Sequence, residues 1–301
     1  MKSLTVIILT FNEELHIERC IKSILKITKN ILIVDSFSTD STLQIANLYK
    51  VKVLQRIWEN NHAAQFNWAL SCLPEETDWV MRVDADEYLS EKLILQINKL
   101  YLTNTKSING VVCIRKIIFQ KKLVRFGGVG STKVLRMFRY GHGQSESRWM
   151  DEHIIVSGKT INLSGAIIDD NLQSLDWWIR KHENYAKREA IDLLNLEYKF
   201  NNNVNDIYSN EKKSARGTKR WIKEKVYAKL PSEIRVKGYY LFRYIFLFGF
   251  LDQINGSRFH YLQAYWYRSL ADQNLKDLKK YIQNNNESPT NAIKKLLGIQ
   301  L

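Results

Sequence analysis

The chain has 301 residues, 45% hydrophobic and 25% charged, with 45 Lys and Arg against 31 Asp and Glu. That length and apolar content sustain a sizeable core and exclude a disordered chain, while the net charge of +14 calls for an anionic partner: a phosphorylated substrate, an acidic membrane surface or nucleic acid. Cys20, Cys72 and Cys113 are odd in number and show no CxxC spacing, which argues against a disulfide scaffold or zinc site and fits a reducing compartment.

Taken in chain order, Leu4–Leu9 is a near-continuous β-rich run, as in a strand covered on both faces. Asn12, Glu13 and Glu14 follow at once and no small-residue cleavage site appears, so the run reads as a strand and not as a secretory signal. Ile17, Cys20, Ile21, Ile24 and Leu25 recur with the spacing of one helix face. Ile31–Val34 predicts a second strand, and Ser41 with Gln44 has capping-box spacing for a helix through Tyr49. A third strand is expected over Val51–Leu54, a helix over Ala63–Cys72, a fourth strand over Trp79–Val83, and a Ser90-capped helix to about Tyr101. This alternation with short links predicts right-handed crossovers and a mostly parallel α/β sheet.

After Asn109 the rhythm changes. Val111–Phe119 and Lys133–Arg139 read as strands flanking the loop Gly127-Gly-Val-Gly130, and a long helix is expected from Asn171 to Phe200. Asn201–Asn203 marks a break, followed by a basic stretch, Lys212 to Lys225, and the aromatic run Tyr239–Leu251. That run contains Arg243 and is shorter than the roughly 20 residues that span a bilayer as a helix. The tail from Asn284 onward reads as poorly ordered.

Arg82-Val-Asp84-Ala-Asp86-Glu87 sits where the fourth strand ends, and open α/β sheets bind ligands at the carboxyl ends of their strands. Two carboxylates at i and i+2 there can bracket a Mg²⁺ or Mn²⁺ ion that shares substrate phosphates. Alone, such a pair is more often a solvated acidic turn. Thr10-Phe-Asn-Glu-Glu14 and Asp35-Ser-Phe-Ser-Thr-Asp40 follow the first and second strands and belong on the same edge. Phe11 suits packing near a base, and Asp35 suits hydrogen bonds to base or ribose, whereas Asp40 reads as turn and cap chemistry. Arg148-Trp-Met-Asp151-Glu152-His153 could supply a general base beside a partly apolar sugar site.

In order and spacing these segments, with Gln65-Phe-Asn67-Trp-Ala-Leu70, resemble family 2 glycosyltransferases of the GT-A fold. The group they look most like is the lipopolysaccharide-core, capsule and O-antigen glucosyltransferase-like enzymes of bacteria. Leu241–Asp252 and His260–Arg268 resemble the C-terminal region of the same group. The resemblance implies a doubly wound, mostly parallel catalytic domain over residues 1–170, with nucleotide-sugar binding in 1–105 and the acceptor and base part in 106–170. A helical, basic and aromatic extension would fill 171–301.

Carried over by position, the resemblance puts Thr10, Phe11, Asn12, Glu13, Asp35, Gln65, Asn67, Arg82 and Asp84 on the nucleotide sugar. Asp84 and Asp86 would hold Mg²⁺ or Mn²⁺, with His153 a further metal or phosphate contact. Glu152 would be the base of an inverting transfer, with Asp151 in reserve, and Arg136 or Arg139 would stabilise the leaving diphosphate. Many relatives carry two acids after the second strand, but Asp35 is followed here by Ser36.

The expected donor is a UDP-hexose and the expected acceptor a saccharide hydroxyl, lipid-linked, met by a peripheral protein on the cytoplasmic side of the inner membrane. The basic and aromatic C-terminal part fits an anionic membrane surface or, for Tyr239–Leu251, a buried core helix; nucleic acid ranks behind both, because no nucleic-acid motif appears. Two other classes compete: a polyprenol-phosphate sugar synthase, and a non-catalytic nucleotide or nucleic-acid binding protein.

Overall fold

Successive β-branched and apolar residues on the first strands decide how the layers form. In the computed structural model, which describes residues 3–59, 61–100, 107–146, 153–200 and 230–299, the chain divides into two units that meet in sequence at Gln173 and Ser174. In the first, β1 (Leu4–Thr10), β2 (Ile31–Asp35), β3 (Lys52–Gln55) and β4 (Trp79–Asp84) lie parallel in the order β3-β2-β1-β4. Their crossovers are α1 (Ile17–Ile24), α2 (Thr42–Leu48) and α3 (His62–Ser71).

Because side chains alternate along a strand, Val6 and Ile8 join one cluster with Cys20, Ile21 and Ile24 of α1, while Ile7 joins another with Phe66 and Ala69 of α3. Both faces are therefore dry, as the unbroken apolar run predicts. The second face is anchored by Phe66 edge-on to Phe138, both fully buried with ring centroids 6.3 Å apart. Truncating either ring to alanine would cost about 3–5 kcal/mol.

Beyond β4 the chain adds β5 (Glu87–Leu89), α4 (Glu91–Leu100), β6 (Ile108–Phe119), β7 (Lys122–Val124), β8 (Thr132–Arg139), β9 (Gly143–Ser145), β10 (Ile154–Val156) and β11 (Lys159–Asp170). The sheet continues β4-β8-β6-β11-β5, with β7 on β6, while β9 and β10 form a separate ribbon. Here β8 is antiparallel to β4 and β6, β11 is parallel to β6, and β5 is antiparallel to β11. The α/β expectation holds. The twelve-residue β11 has no counterpart in the sequence reading, nor do the short strands β5, β7, β9 and β10. β11 bulges between Asn162 and Ala166, and there Gly165 lets it pass α4: a Cβ would fall 2.4 Å from Leu93 Cα.

The second unit is helical. Ser174 caps α5 (Leu175–Tyr198), its hydroxyl accepting from the Trp177 N–H at 3.2 Å. After residue 230 come α6 (Ser232–Leu241), a π-helical turn (Phe242–Phe246), a 3₁₀ turn (Gly249–Asp252), α7 (Gln253–His260), a second π-helical turn (Tyr261–Trp266), α8 (Tyr267–Asn285) and α9 (Pro289–Leu297). Two sequence expectations are corrected here. Residues 285–299 are ordered, since α9 buries Ala292 and Ile293 in one cluster with Ala190, Leu194, Leu278 and Ile282. Tyr239–Leu251 is neither one helix nor a core element: π and 3₁₀ turns break it, and Phe242, Phe246 and Phe248 are exposed. The break at Asn201–Asn203 and the basic stretch Lys212–Lys225 lie outside the described residues. No described helix is long and apolar enough to cross a membrane.

Candidate active site

The register of the parallel strands brings three of the sequence-derived positions to one edge. Thr10 pairs with Asp35, and Leu9 pairs with Asp84, so β1, β2 and β4 end side by side. The loops leaving β1 and β2 are stitched together there. The Asp35 carboxylate accepts from the Thr10 hydroxyl at 2.9 Å, the Ser38 N–H at 2.8 Å, the Ser38 hydroxyl at 2.5 Å and the Gln55 amide at 3.3 Å. Ser38 Oγ accepts from the Asn12 N–H at 2.9 Å, and Asn12 Oδ1 accepts from the Thr39 N–H at 2.8 Å. The Glu14 N–H donates to Asp40, and Glu14 Oε2 in turn accepts from the Ser41 N–H.

The Thr10 hydroxyl is a buried donor, and one left unmet costs about 1–3 kcal/mol. Asp35 thus sets the shape of both loops. It is fully buried, with both carboxylate oxygens engaged by these donors. Thr10, also buried, acts with it.

Asp40 caps α2, its Oδ1 accepting from the Thr42 N–H at 2.9 Å. Ser41 makes no side-chain cap, which corrects the capping-box expectation. Glu13 is fixed from behind by His16, whose Nδ1 lies 2.6 Å from Glu13 Oε2 while its Nε2 accepts from the Leu172 N–H at 2.8 Å. That pattern requires the Nδ1–H tautomer. The loop tips carry two exposed aromatic rings, Phe11 and Phe37. Phe37 holds a left-handed φ of 62°. Phe11 is expected from the sequence and Phe37 is not; the place of Phe37 inside the Ser/Thr/Asp turn that follows β2 is the signal for it.

At the end of β4 the charges alternate. Asp84 Oδ1 accepts from Arg82 Nε at 3.1 Å and Oδ2 from Arg136 at 3.0 Å, and Arg136 also reaches Glu87 at 2.6 Å. The second Glu87 oxygen accepts from the Asp84 N–H at 3.0 Å. Loss of water would raise the Asp84 carboxyl, but Arg136 and Arg82 win and hold it well below the usual carboxylate range. Glu87 is 2% exposed, and burial pushes it up, to about 8, against the opposing pull of Arg136. Arg82 also lies over the Phe66 ring, its guanidinium carbon 5.6 Å from the centroid.

Asp86 stands apart from this cluster. Its Oδ2 accepts from Asn171 Nδ2 at 3.1 Å, and its other oxygen meets no donor among the described residues. Its backbone carbonyl accepts from the Asp170 N–H at 3.1 Å, which ties the motif to the end of β11. Hard oxygen donors of this kind suit Mg²⁺ or Mn²⁺. Among the described residues no three His, Cys, Asp or Glu side chains converge on one point, so the protein's share of an ion would be Asp86 and Asp84, with the remaining ligands coming from a diphosphate. His153 is not gathered with them. Its backbone N–H instead donates to Glu146 at 3.1 Å beside the β9–β10 ribbon.

Arg139 is removed from consideration by register. It pairs with Trp79 at the start of β4, five residues or about 17 Å from Asp84 along the strand, and covers the Trp79 ring. Gln65 is buried, its amide donating to Ser36 Oγ at 3.2 Å and the Arg56 carbonyl at 3.3 Å. Asn67 exchanges two 2.9 Å bonds with the Ser145 backbone. Asp151 and Glu152 lie outside the described residues.

Comparison with known proteins matches the sequence around these positions. The model of the family described as "Glycosyl transferase family 2" matches residues 5–146. An uncharacterized glycosyltransferase of Rickettsia typhi is 27% identical over 220 residues, covering 67% of this chain and 72% of the relative. One from Rickettsia felis is 32% identical over 125 residues, 41% of this chain and 40% of the relative. Among solved structures, glucosyl-3-phosphoglycerate synthase from Mycobacterium tuberculosis in complex with Mn²⁺, UDP-glucose and phosphoglyceric acid is 21% identical with a TM-score of 0.31. That match covers 38% of this chain and 44% of the solved one, less than half its length. The family match thus takes in residues 5–146, the stretch that carries Thr10, Asp35, Asp84 and Asp86, and the relatives that this chain resembles are glycosyltransferases.

Proposed function

We propose that this glycosyltransferase moves a hexose from a UDP-sugar, with inversion, to a hydroxyl of a lipid-linked saccharide in bacterial surface glycan synthesis. The observation that carries the reading is the single strand edge where Thr10, Asp35 and Asp84 meet, with Asp86 offering a free oxygen beside it. Exposed Phe11 and Phe37 would flank the base, on loops that Asp35 holds in shape. Asp86 and Asp84 would hold Mg²⁺ or Mn²⁺, whose charge offsets that on the diphosphate. Arg136, within reach of Asp84, keeps that acid ionised.

In the transfer, the acceptor oxygen bonds to the anomeric carbon as the bond to the diphosphate oxygen breaks and UDP leaves with the electron pair. Glu152 takes the hydroxyl proton. The acceptor would be presented on the cytoplasmic face of the inner membrane, where the cationic chain is drawn to acidic headgroups.

A screen of UDP-sugars for UDP release, with Mn²⁺ or Mg²⁺ and with EDTA, tests the reading. One donor should be hydrolysed in metal and spared in EDTA, and Asp86→Ala should be inactive. Full activity in EDTA would remove the metal assignment, and no release from any nucleotide sugar would remove the donor class.

A further inference from the structure

Residues 241–254 turn the usual distribution of polarity inside out. Their charged groups point inward: Arg243 is 3% exposed, and Asp252 and the fully buried His260 of α7 form a pair at 2.9 Å. Arg243 closes the cluster 3.4 Å from His260 Nδ1. The apolar side chains point outward. Phe242, Ile245, Phe246, Phe248, Leu251 and Ile254 are all exposed, with Phe246 at 69% and Ile254 at 78%. Single exposed apolar residues are ordinary, but these six together with Leu241 and Phe250, eight within fourteen residues over an ionic interior, are not what a water-facing turn selects.

The turn is also built to hold them there. Phe248 sits at a left-handed φ of 57°, and Tyr244 Oη lies 3.2 Å from Ser257 Oγ. A Cβ on Gly256 would fall 1.9 Å from Asp252 Cβ, so α7 meets the 3₁₀ turn at a contact that admits glycine alone. Packing fixes the backbone from within and leaves the rings outside.

We propose that this aromatic tip docks on an anionic lipid surface by shallow insertion of its exposed rings and aliphatic side chains. Charge selects lipid over an acidic or neutral protein face. The described residues of this unit, 174–200 and 230–299, hold 15 Lys and Arg against 10 Asp and Glu, a net +5. Asp252 is the lone acid between 241 and 254, and its side chain is buried, so no exposed carboxylate opposes a headgroup. Lys237 on α6 and Arg258 on α7 are exposed to either side in sequence. Apolar insertion with flanking cations is the chemistry of an interfacial anchor. The inference deepens the reading of a membrane-borne acceptor and rests on it for its purpose.

The test is flotation of the full chain with phosphatidylcholine vesicles, with and without phosphatidylglycerol. The wild type should float with the anionic vesicles, and Phe246→Ser with Ile254→Ser should weaken that binding roughly ten-fold or more. UDP-sugar hydrolysis without vesicles should be unchanged in this double variant, which also shows that it is folded. Phe246→Trp should give an emission blue shift with anionic vesicles, quenched by brominated acyl chains. The proposal is overturned if the wild type does not float, if the double variant floats equally well, or if the double variant loses self-association instead. Hydrolysis without flotation removes the lipid anchor alone; flotation without hydrolysis of any donor removes the functional reading and leaves the anchor standing.

Discussion

Arg136 donates to Asp84 Oδ2 at 3.0 Å, across the junction of β8 and β4. The first acid of the motif is thereby ionised and half-neutralised before any ligand arrives, and Asp86 is left as the less encumbered of the two acids. Arg136 also satisfies Glu87, so one guanidinium holds two carboxylates together.

Removing that guanidinium should be costly. Arg136→Met removes the cation that pairs with the buried Glu87 and leaves Asp84 with Arg82, and breaking a buried pair in this way costs about 3–5 kcal/mol. Urea denaturation followed by far-ultraviolet circular dichroism should show this loss, with Arg136→Lys in between because a point charge replaces the fork. A change below about 1 kcal/mol for Arg136→Met would mean that the cluster is not a structural unit.

The base assignment has its own signature. Glu152→Gln keeps shape and removes the proton acceptor, so kcat for transfer to a saccharide hydroxyl should fall roughly 10²–10⁴-fold with donor affinity nearly unchanged. A larger loss in Asp151→Asn would reverse the order of the pair. Indifference of kcat to both would point to a phosphate acceptor, which needs little base help, as in a polyprenol-phosphate sugar synthase.

The helical unit should weaken in acid through His182. Burial lowers its pKa from 6.5 to about 4, although its Nδ1 lies 2.9 Å from the Trp178 carbonyl and its ring stacks on Trp178 at 3.4 Å. The unfolded chain therefore takes up a proton that the folded one refuses. This contribution is complete above about pH 6.5 and is lost as pH falls toward 4. Denaturation midpoints across that window should fall more steeply in the wild type than in His182→Gln; parallel curves would show that the ring titrates freely.

What the sequence determined by itself is what depends on near neighbours. The run Leu4–Leu9, the helix spacing from Ile17 to Ile24 and the Asp84-Ala-Asp86 motif at a strand end are all local patterns, and each stands where it was expected. Tertiary structure decided whatever depends on a distant partner. β11 was illegible because its mixed polar and apolar residues become a strand by pairing with β6 about fifty positions earlier. The enclosure of Asp35 needs Thr10 and Gln55 from two other strands. The choice of Arg136 over Arg139 is a matter of β4–β8 register, invisible in composition. Residues after Asn284 look polar and loose, yet Ala292 and Ile293 find a cluster supplied by α5 and α8. In Tyr239–Leu251 the apolar content was plain, but whether it faces inward or outward turns on the pairing of Asp252 with His260, which takes the interior for charge and leaves the surface to the rings.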